Sequence, residues 1–79
     1  MNLPVHYLKI DGAFVKKISH NLLSQLLVEG FNCIAHAMNV ETIAELVEDE
    51  TILEKLREMG VDYAQGYGIA HPVPINFNR

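Results

Sequence analysis

The sequence predicts an α/β fold in which three parallel strands alternate with two helices, a β-α-β-α-β unit. Three short runs rich in β-branched or aromatic residues are typical of buried strands. The two segments between them carry apolar residues at helical spacing. Each strand run also contains one polar residue, namely Lys9, Glu45 or Gln65. Alternating strands and helices with short connections indicate a parallel sheet with right-handed crossovers, here in the strand order 1-2-3.

The first strand is predicted from Val5 to Asp11. Gly12 ends it, and a short turn or helical segment begins at Phe14. The long helix that follows is predicted from about Asn21 to Met38, with Ser19 or Asn21 as its N-cap. Asn39 is a plausible left-handed stop. The apolar stripe predicted for this long helix comprises Leu23, Leu27, Phe31, Ile34 and Met38, widened by Leu22, Leu26 and Ala35.

The second strand is predicted from Thr42 to Val47, and Asp49 is the predicted N-cap of the second helix. Glu50 lies in the first turn, where the helix dipole favours negative charge. Gly60 is predicted to end this helix. Its predicted buried face comprises Ile52, Leu53, Leu56 and Met59.

The third strand is predicted from Val61 to Tyr67. Pro72, Pro74 and the polar tail are expected to stop regular structure, since proline cannot donate a ladder hydrogen bond. The chain shows no internal repeat and no Gly-rich phosphate loop.

Composition excludes several classes of protein. The 79 residues suffice for one small domain with a marginal core, and a hydrophobic content of 49% is too high for disorder. The net charge of −4 and the lack of a Lys/Arg stripe argue against nucleic-acid binding. No apolar run reaches a membrane span, and no signal peptide is recognisable. The single cysteine, Cys33, is expected in the core, which fits a reducing, cytoplasmic compartment.

Lys9, Glu45 and Gln65 are predicted to meet at one edge of the sheet. They are separated by 36 and 20 residues and lie toward the carboxyl ends of their strands. In a parallel sheet these ends share one edge, which is where α/β folds place their sites. A charge in a buried strand is costly unless it is paired or faces a site. The pattern therefore indicates a functional site whose other parts belong to a larger fold.

Three segments resemble the last three signatures of the EAL family of bacterial cyclic di-GMP phosphodiesterases. They are LPVHYLKIDGAFV, TIAELVE and GVDYAQGYGIAHP, in the family's order and spacing. The helix ending in NCIAHAMN is similar to the family's helix before its AEGVE strand. The resemblance covers Leu3 to Pro72 and implies that residues 1–79 are the C-terminal third of an EAL domain. The fold it implies is the last three strands of a modified (β/α)8 barrel.

The resemblance also implies residue roles. Lys9 matches the catalytic lysine of LKID, beside the metals and the attacked phosphate, and Glu45 matches a metal ligand of AEGVE. Glu48 matches the glutamate that helps hold an active-site loop, and Gln65 matches the glutamine of QGY near the metals. Asp11 matches the aspartate of LKID. One departure is Leu46, which stands where the family motif has glycine.

The motifs that precede LKID in the family are not in this chain, including Glu-Ala-Leu and the Asp-Asp pair. A full barrel needs roughly 250 residues. The family's chemistry is hydrolysis of a phosphodiester with two Mg²⁺ or Mn²⁺ ions. One or two carboxylates cannot hold a metal pair, so the chain alone is expected to bind no metal and to be inactive.

Each candidate also has a structural interpretation. A strand lysine such as Lys9 is often a snorkelling surface residue, and Gln65 beside a glycine is compatible with a turn. Glu48 is equally compatible with a solvated position before the second helix. The four histidines lack metal-ligand spacing, and His36 is expected to be a partly packed helix residue.

Three functions remain open at this point: a fragment of a cyclic di-GMP phosphodiesterase of bacterial signal transduction, a non-catalytic self-associating module, and a nucleotide-binding remnant. A three-stranded sheet with two open edges favours a homo-oligomer. Leu8, Ile10, Ile43, Val47 and Tyr67 are the residues expected on its open inner face.

Overall fold

A computed structural model describes residues 6–66 and 71–76 of the chain. Its elements alternate as predicted from the sequence. They are β1 (Tyr7–Ile10), α1 (Gly12–Val15), α2 (Leu22–Ala37), β2 (Glu41–Ala44), α3 (Glu50–Met59), β3 (Tyr63–Ala64) and β4 (Val73–Pro74). None of the helices in the described part is long and apolar enough to cross a membrane.

The sheet has the strand order β1-β2-β3-β4, and its first three strands are parallel. The register pairs Ile10 with Ala44 and Ala44 with Ala64. These three side chains are buried and belong to one core cluster with Val28 of α2 and Leu56 of α3. The predicted parallel order 1-2-3 is therefore confirmed, and both long helices cover the same face of the sheet.

The short strand β4 was not predicted from the sequence. Val73 and Pro74 pair antiparallel with Ala64 and Tyr63, although the two prolines were expected to end regular structure. The pairing covers the outer edge of β3, where a proline is tolerated because β4 is itself an edge strand. The edge on this side of the described sheet is therefore β4 and not β3, as the three-strand prediction had it.

The caps of the long helices match the sequence. The Asn21 side chain accepts a hydrogen bond from Ser24 N, and Asp49 accepts one from Ile52 N, each at 2.8 Å. Asn39 follows α2 with φ 60°, and Gly60 ends α3 with φ 86°. Asp49 and Gly60 therefore delimit α3 as predicted, and Ile52 and Leu56 are buried beneath it.

The buried face of α2 differs from the predicted stripe. Its buried residues are Ser24, Val28, Asn32 and Ala35, whereas Leu22, Leu23, Leu26, Ile34 and Met38 are exposed. Cys33 is also exposed, so its predicted core position is wrong. The helix is apolar around much of its circumference, and its smaller residues face the sheet because they allow a closer approach. Of the predicted face, Ala35 is buried and Phe31 packs against the core, whereas the exposed leucines, Ile34 and Met38 were wrongly assigned to the core.

On the open face of the sheet, the prediction was wrong by one residue in β1 and right for Ile43 in β2. Ile10 lies in the helix-covered core, and Leu8 lines a pocket with Phe14 and Phe31 on the same side. Val47 packs against the core cluster, and Tyr67 lies outside the described residues. Of the predicted set, Ile43 is on the open face, where it lines a small pocket with two tyrosines. Because side chains alternate along a strand, an error of one position exchanges the faces.

Candidate functional site

A pocket of about 260 Å³ at the carboxyl ends of β1, β2 and β3 brings the predicted site residues together. Lys9, Glu45 and Gln65 all line it, although 56 residues separate the first from the last. The remaining lining residues are Asp11, Gly12, Leu46 and Gly66. The predicted convergence of these three side chains is therefore confirmed, while their chemical roles stay predictions.

Backbone hydrogen bonds that extend the sheet fix the position of Glu45. Its N–H donates to Ile10 O at 3.1 Å, and Gln65 N–H donates to Ala44 O at 2.9 Å. These bonds continue the register of β1, β2 and β3 by one residue. Because side chains alternate along a strand, Glu45 and Gln65 point to the same face as Lys9, away from the helices.

The chain leaves β2 through a one-residue bulge. In regular parallel pairing, Gln65 would bond to the residues on either side of Glu45, which are Ala44 and Leu46. The carbonyl of Gln65 instead accepts from Val47 N–H at 3.0 Å, so Glu45 and Leu46 together occupy the space of one residue. Leu46 has φ 58°, in the left-handed region. Such bulges occur beside active sites, where they redirect a side chain.

Leu46 lies against the glycine that begins α1. A Cβ atom built on Gly12 would come 2.5 Å from Leu46 Cδ1 and 2.7 Å from its Cβ. Distances this short exclude any side chain at position 12 while Leu46 keeps its place. Glycine is therefore needed at position 12 to leave space for Leu46, whereas the sequence alone indicated only that Gly12 ends a strand.

Asp11 has a structural task within the pocket. Its Oδ1 accepts a hydrogen bond from Ala13 N–H at 2.8 Å, which makes it the N-cap of the short helix α1. The other carboxylate oxygen extends the negative charge that Glu45 brings to this edge. The cap holds the β1–α1 turn, and with it Gly12, beneath Leu46.

Glu48 is not among the residues that line the pocket. It is exposed and lies in the segment between β2 and α3, next to the helix cap Asp49. The described residues thus leave its predicted role in holding an active-site loop untested.

The residues present do not fit a metal pair. The pocket offers the carboxylates of Glu45 and Asp11 and the amide oxygen of Gln65. A hard divalent cation takes six or more oxygen ligands, and two cations need more carboxylates than these. In the described part of the chain, no group of three or more His, Cys, Asp or Glu residues is placed to hold a metal ion.

A second pocket on the open face, of about 240 Å³, is lined by Tyr7, Ile43, Tyr63 and Pro72. The rings of Tyr7 and Tyr63 meet edge to face, with 5.7 Å between their centres. Burial raises the pKa of Tyr63, and the nearby charge of Glu41 raises it further. This face therefore combines aromatic surface with a hydroxyl that stays protonated at neutral pH.

A buried polar network lies at the other end of the strands and was not predicted. Asp62 Oδ2 accepts from Thr42 N–H at 2.8 Å and lies 2.7 Å from His36 Nε2. Thr42 Oγ1 donates to Asn32 Oδ1 at 2.6 Å, and Asn32 Nδ2 donates to Met59 O at 3.0 Å. The only sequence signal was that Asp62 and Asn32 interrupt apolar segments. In a parallel (β/α)8 barrel, residues at this end of the strands usually stabilise the fold, whereas catalytic residues lie at the carboxyl ends.

Comparisons with known proteins agree on one family. The family model for the EAL domain matches residues 1–72. The chain is 42% identical to cyclic di-GMP phosphodiesterase PdeB of Shewanella oneidensis, over 92% of this chain and 8% of that protein. It is 40% identical to cyclic di-GMP phosphodiesterase PdeA of Borreliella burgdorferi, over 92% of this chain and 11% of that protein.

Solved structures give the same result. The EAL enzyme Bd1971, in a form with cAMP and cyclic di-GMP bound, superposes with a TM-score of 0.78 at 37% identity. The match covers 92% of this chain and 19% of that one. An EAL domain protein from Listeria monocytogenes superposes with a TM-score of 0.76 at 34% identity, over 92% of this chain and 30% of that protein. The chain thus spans a minor part of each protein it matches.

Proposed function

Because the chain belongs to the EAL domain family, we propose that it is the C-terminal third of a cyclic di-GMP phosphodiesterase domain. In this proposal the complete domain hydrolyses one phosphodiester bond in a reaction that depends on Mg²⁺ or Mn²⁺. The observation that carries the proposal is the convergence of Lys9, Glu45 and Gln65 in one pocket. The names of the curated relatives supply the substrate.

The chain's own residues contribute charge and hydrogen bonds at this edge. The ammonium group of Lys9 supplies a positive charge suited to the developing charge on a phosphoryl oxygen. Glu45 supplies one carboxylate for the metal site of the complete domain. Gln65 supplies an amide that can donate to a phosphate oxygen or accept from a water. Glu48, two residues beyond the bulge, is proposed to hold an active-site loop.

We further propose that the chain alone is inactive, since its pocket offers too few carboxylates for a metal pair. A cytoplasmic location is proposed because a single cysteine fits a reducing compartment. Binding of the dinucleotide without hydrolysis, by a remnant of the site, is the alternative for the isolated chain.

A chimera tests the proposal. The last third of an active EAL domain, such as that of a curated relative, is replaced by this chain, and conversion of cyclic di-GMP to the linear dinucleotide is measured with Mg²⁺ or Mn²⁺. We expect turnover by the chimera, loss of it on Glu45→Gln and Lys9→Ala, and unchanged turnover on Glu54→Gln, a change on exposed helix surface.

A folded chimera without turnover would contradict the proposed activity. Turnover by the isolated chain, abolished by Glu45→Gln, would contradict its inactivity alone. Calorimetric titration of the isolated chain with cyclic di-GMP tests the alternative of binding without hydrolysis. Saturable binding that is lost on Lys9→Ala would favour this alternative.

The second candidate function is self-association of the isolated chain. Tyr7 is 50% exposed on the open face of the sheet, and β1 has no strand beyond it within residues 6–66 and 71–76. Open edges and uncovered aromatic surface favour pairing with another sheet. We propose that a second copy covers the open face and the edge of β1.

A further inference from the structure

The bulge at the end of β2 rests on an unfavourable backbone conformation. Leu46 has φ 58°, which side-chain-bearing residues rarely adopt. Glycine is the residue that adopts this conformation without steric penalty. A leucine here is retained only if the surrounding structure holds it in place, and such held residues cluster at functional sites.

What holds Leu46 is its contact with Gly12. The Leu46 side chain occupies the space in which a Cβ on residue 12 would lie. Gly12 does not have a positive φ, so its backbone would accept another residue if the space were free. The two positions are therefore coupled sterically: a bulky residue at position 46 requires glycine at position 12.

The bulge sets the direction of Glu45. Its N–H is bonded to Ile10 O on one side, and two residues later Val47 N–H is bonded to Gln65 O. Leu46 is the only residue between these two fixed points besides Glu45 itself. Any shift of Leu46 away from Gly12 must therefore move Glu45 or break the Val47 hydrogen bond.

We propose that Leu46 is a positioning residue, which holds the carboxylate of Glu45 in the pocket through its contact with Gly12. It is 41% exposed and forms an apolar wall of the same pocket, so its side chain is not simply part of the core. The importance of Glu45 for hydrolysis rests on the proposed function, whereas the steric coupling does not.

The test compares the full 79-residue chain with Gly12→Ala, Leu46→Gly and the double variant. NMR reports the side-chain signals of Glu45 and Gln65 and the hydrogen exchange of the Val47 amide. Glu54, which lies outside the pocket on the exposed surface of α3, is the internal control. For Gly12→Ala we expect shifted Glu45 and Gln65 signals, unshifted control signals, and roughly tenfold faster exchange at Val47, as for an overpacked site.

In the double variant, Leu46→Gly removes the clash, so we expect the Val47 exchange rate and the Gln65 signals to return toward those of Leu46→Gly alone. For Leu46→Gly itself we expect the Glu45 signals to move toward those of an unrestrained glutamate. If Gly12→Ala does not fold, recovery of a folded spectrum in the double variant supports the coupling.

Unchanged Glu45 signals in either folded single variant would overturn the proposal. A double variant whose Val47 exchange rate and Gln65 signals stay as in Gly12→Ala would overturn it too. None of these measurements uses a nucleotide or a metal. Lack of turnover in the chimera would therefore contradict the proposed function and leave the steric coupling intact. Failure of the NMR test would contradict the coupling and leave the proposed function intact.

Discussion

The Nε2 atom of His36 lies 2.7 Å from Oδ2 of Asp62, which joins the last turns of α2 to the residue before β3. The same carboxylate oxygen accepts from the backbone N–H of Thr42 in β2 at 2.8 Å. Asp62 is only 2% exposed, so it has lost most of its hydration. One oxygen atom thus connects a helix and two strands, and its partners replace the water it gave up.

Asp62→Ala is expected to destabilise the chain by about 3 kcal/mol or more. The buried N–H of Thr42 loses its hydrogen-bond acceptor, and the partly buried His36 loses its partner. For a domain this small, that loss approaches its total stability. Denaturant unfolding followed by circular dichroism, at one fixed protein concentration, measures the change.

The matched control is the exposed pair of Glu54 and Arg57, whose Oε2 and Nη1 atoms lie 2.6 Å apart, closer than the 2.7 Å between His36 Nε2 and Asp62 Oδ2. Because both side chains are solvated, Glu54→Ala is expected to change stability by less than about 1 kcal/mol. Equal losses for the two variants would contradict the importance given to burial.

Two glycines give opposite expectations for the same substitution. Gly60 has φ 86° at the end of α3, so Gly60→Ala is expected to destabilise by about 1 kcal/mol, although its Cβ would meet only Asn32 Nδ2 at 3.6 Å. Gly30 lies within α2 with nothing within 4 Å of a Cβ. Gly30→Ala is therefore expected to stabilise by about 0.5–1 kcal/mol. Thermal unfolding midpoints that move in the same direction for both variants would refute this.

The raised pKa of Tyr63 predicts a loss of stability at high pH. The folded chain holds the phenol proton more tightly than the unfolded chain, whose tyrosine has the ordinary value of 10.0. The contribution is therefore fully present below pH 10.0 and is lost as pH rises through the higher pKa of the folded state. Ultraviolet titration of tyrosinate, compared with Tyr63→Phe, isolates this group.

Glu41→Gln separates the two main causes of that shift. Removing the charge of Glu41 is expected to lower the pKa of Tyr63, but burial, the larger cause, is expected to keep it above 10.0. A Tyr63 pKa that does not respond to Glu41→Gln would show that the charge of Glu41 is screened.

Sedimentation equilibrium over a wide range of concentrations tests self-association. We expect a species heavier than 8.9 kDa that dissociates on dilution. Tyr7→Lys places a charge on the open sheet face and is expected to shift the chain toward the monomer. Leu26→Lys, on the exposed surface of α2, is the control. Loss of association with Leu26→Lys instead would place the contact on α2, and a monomer at all concentrations would exclude association.

The elements and their caps were predictable because their signals are local. Asp49 and Gly60 act within one turn of α3, and the alternation of strand and helix leaves one topology for the three parallel strands. The convergence of Lys9 with Glu45 followed from that topology, since the carboxyl ends of parallel strands share an edge.

The errors arose where the local sequence pattern does not determine which side of a helix or which face of a sheet is buried. Leu23 and Val28 are both apolar, and the sequence of α2 does not tell which of its apolar sides meets the sheet. Ile10 was placed on the wrong face because β1 lacks a clean alternation of polar and apolar residues. The left-handed conformation of Leu46 had one local signal that was not used, since Leu46 stands where the family motif has glycine. Its close approach to Gly12, 34 residues away in the sequence, has no local signal.

The antiparallel pairing of β4 makes the two edges of this sheet unequal. β1 offers an edge of four residues, whereas the edge beyond β3 is the two-residue strand β4, in which Pro74 has no N–H to donate. Strand addition over the described part of the sheet is therefore expected mainly at β1. Two copies joined through β1 would form a pair related by twofold symmetry, and the short, proline-containing β4 strands at its outer edges are poor templates for further growth.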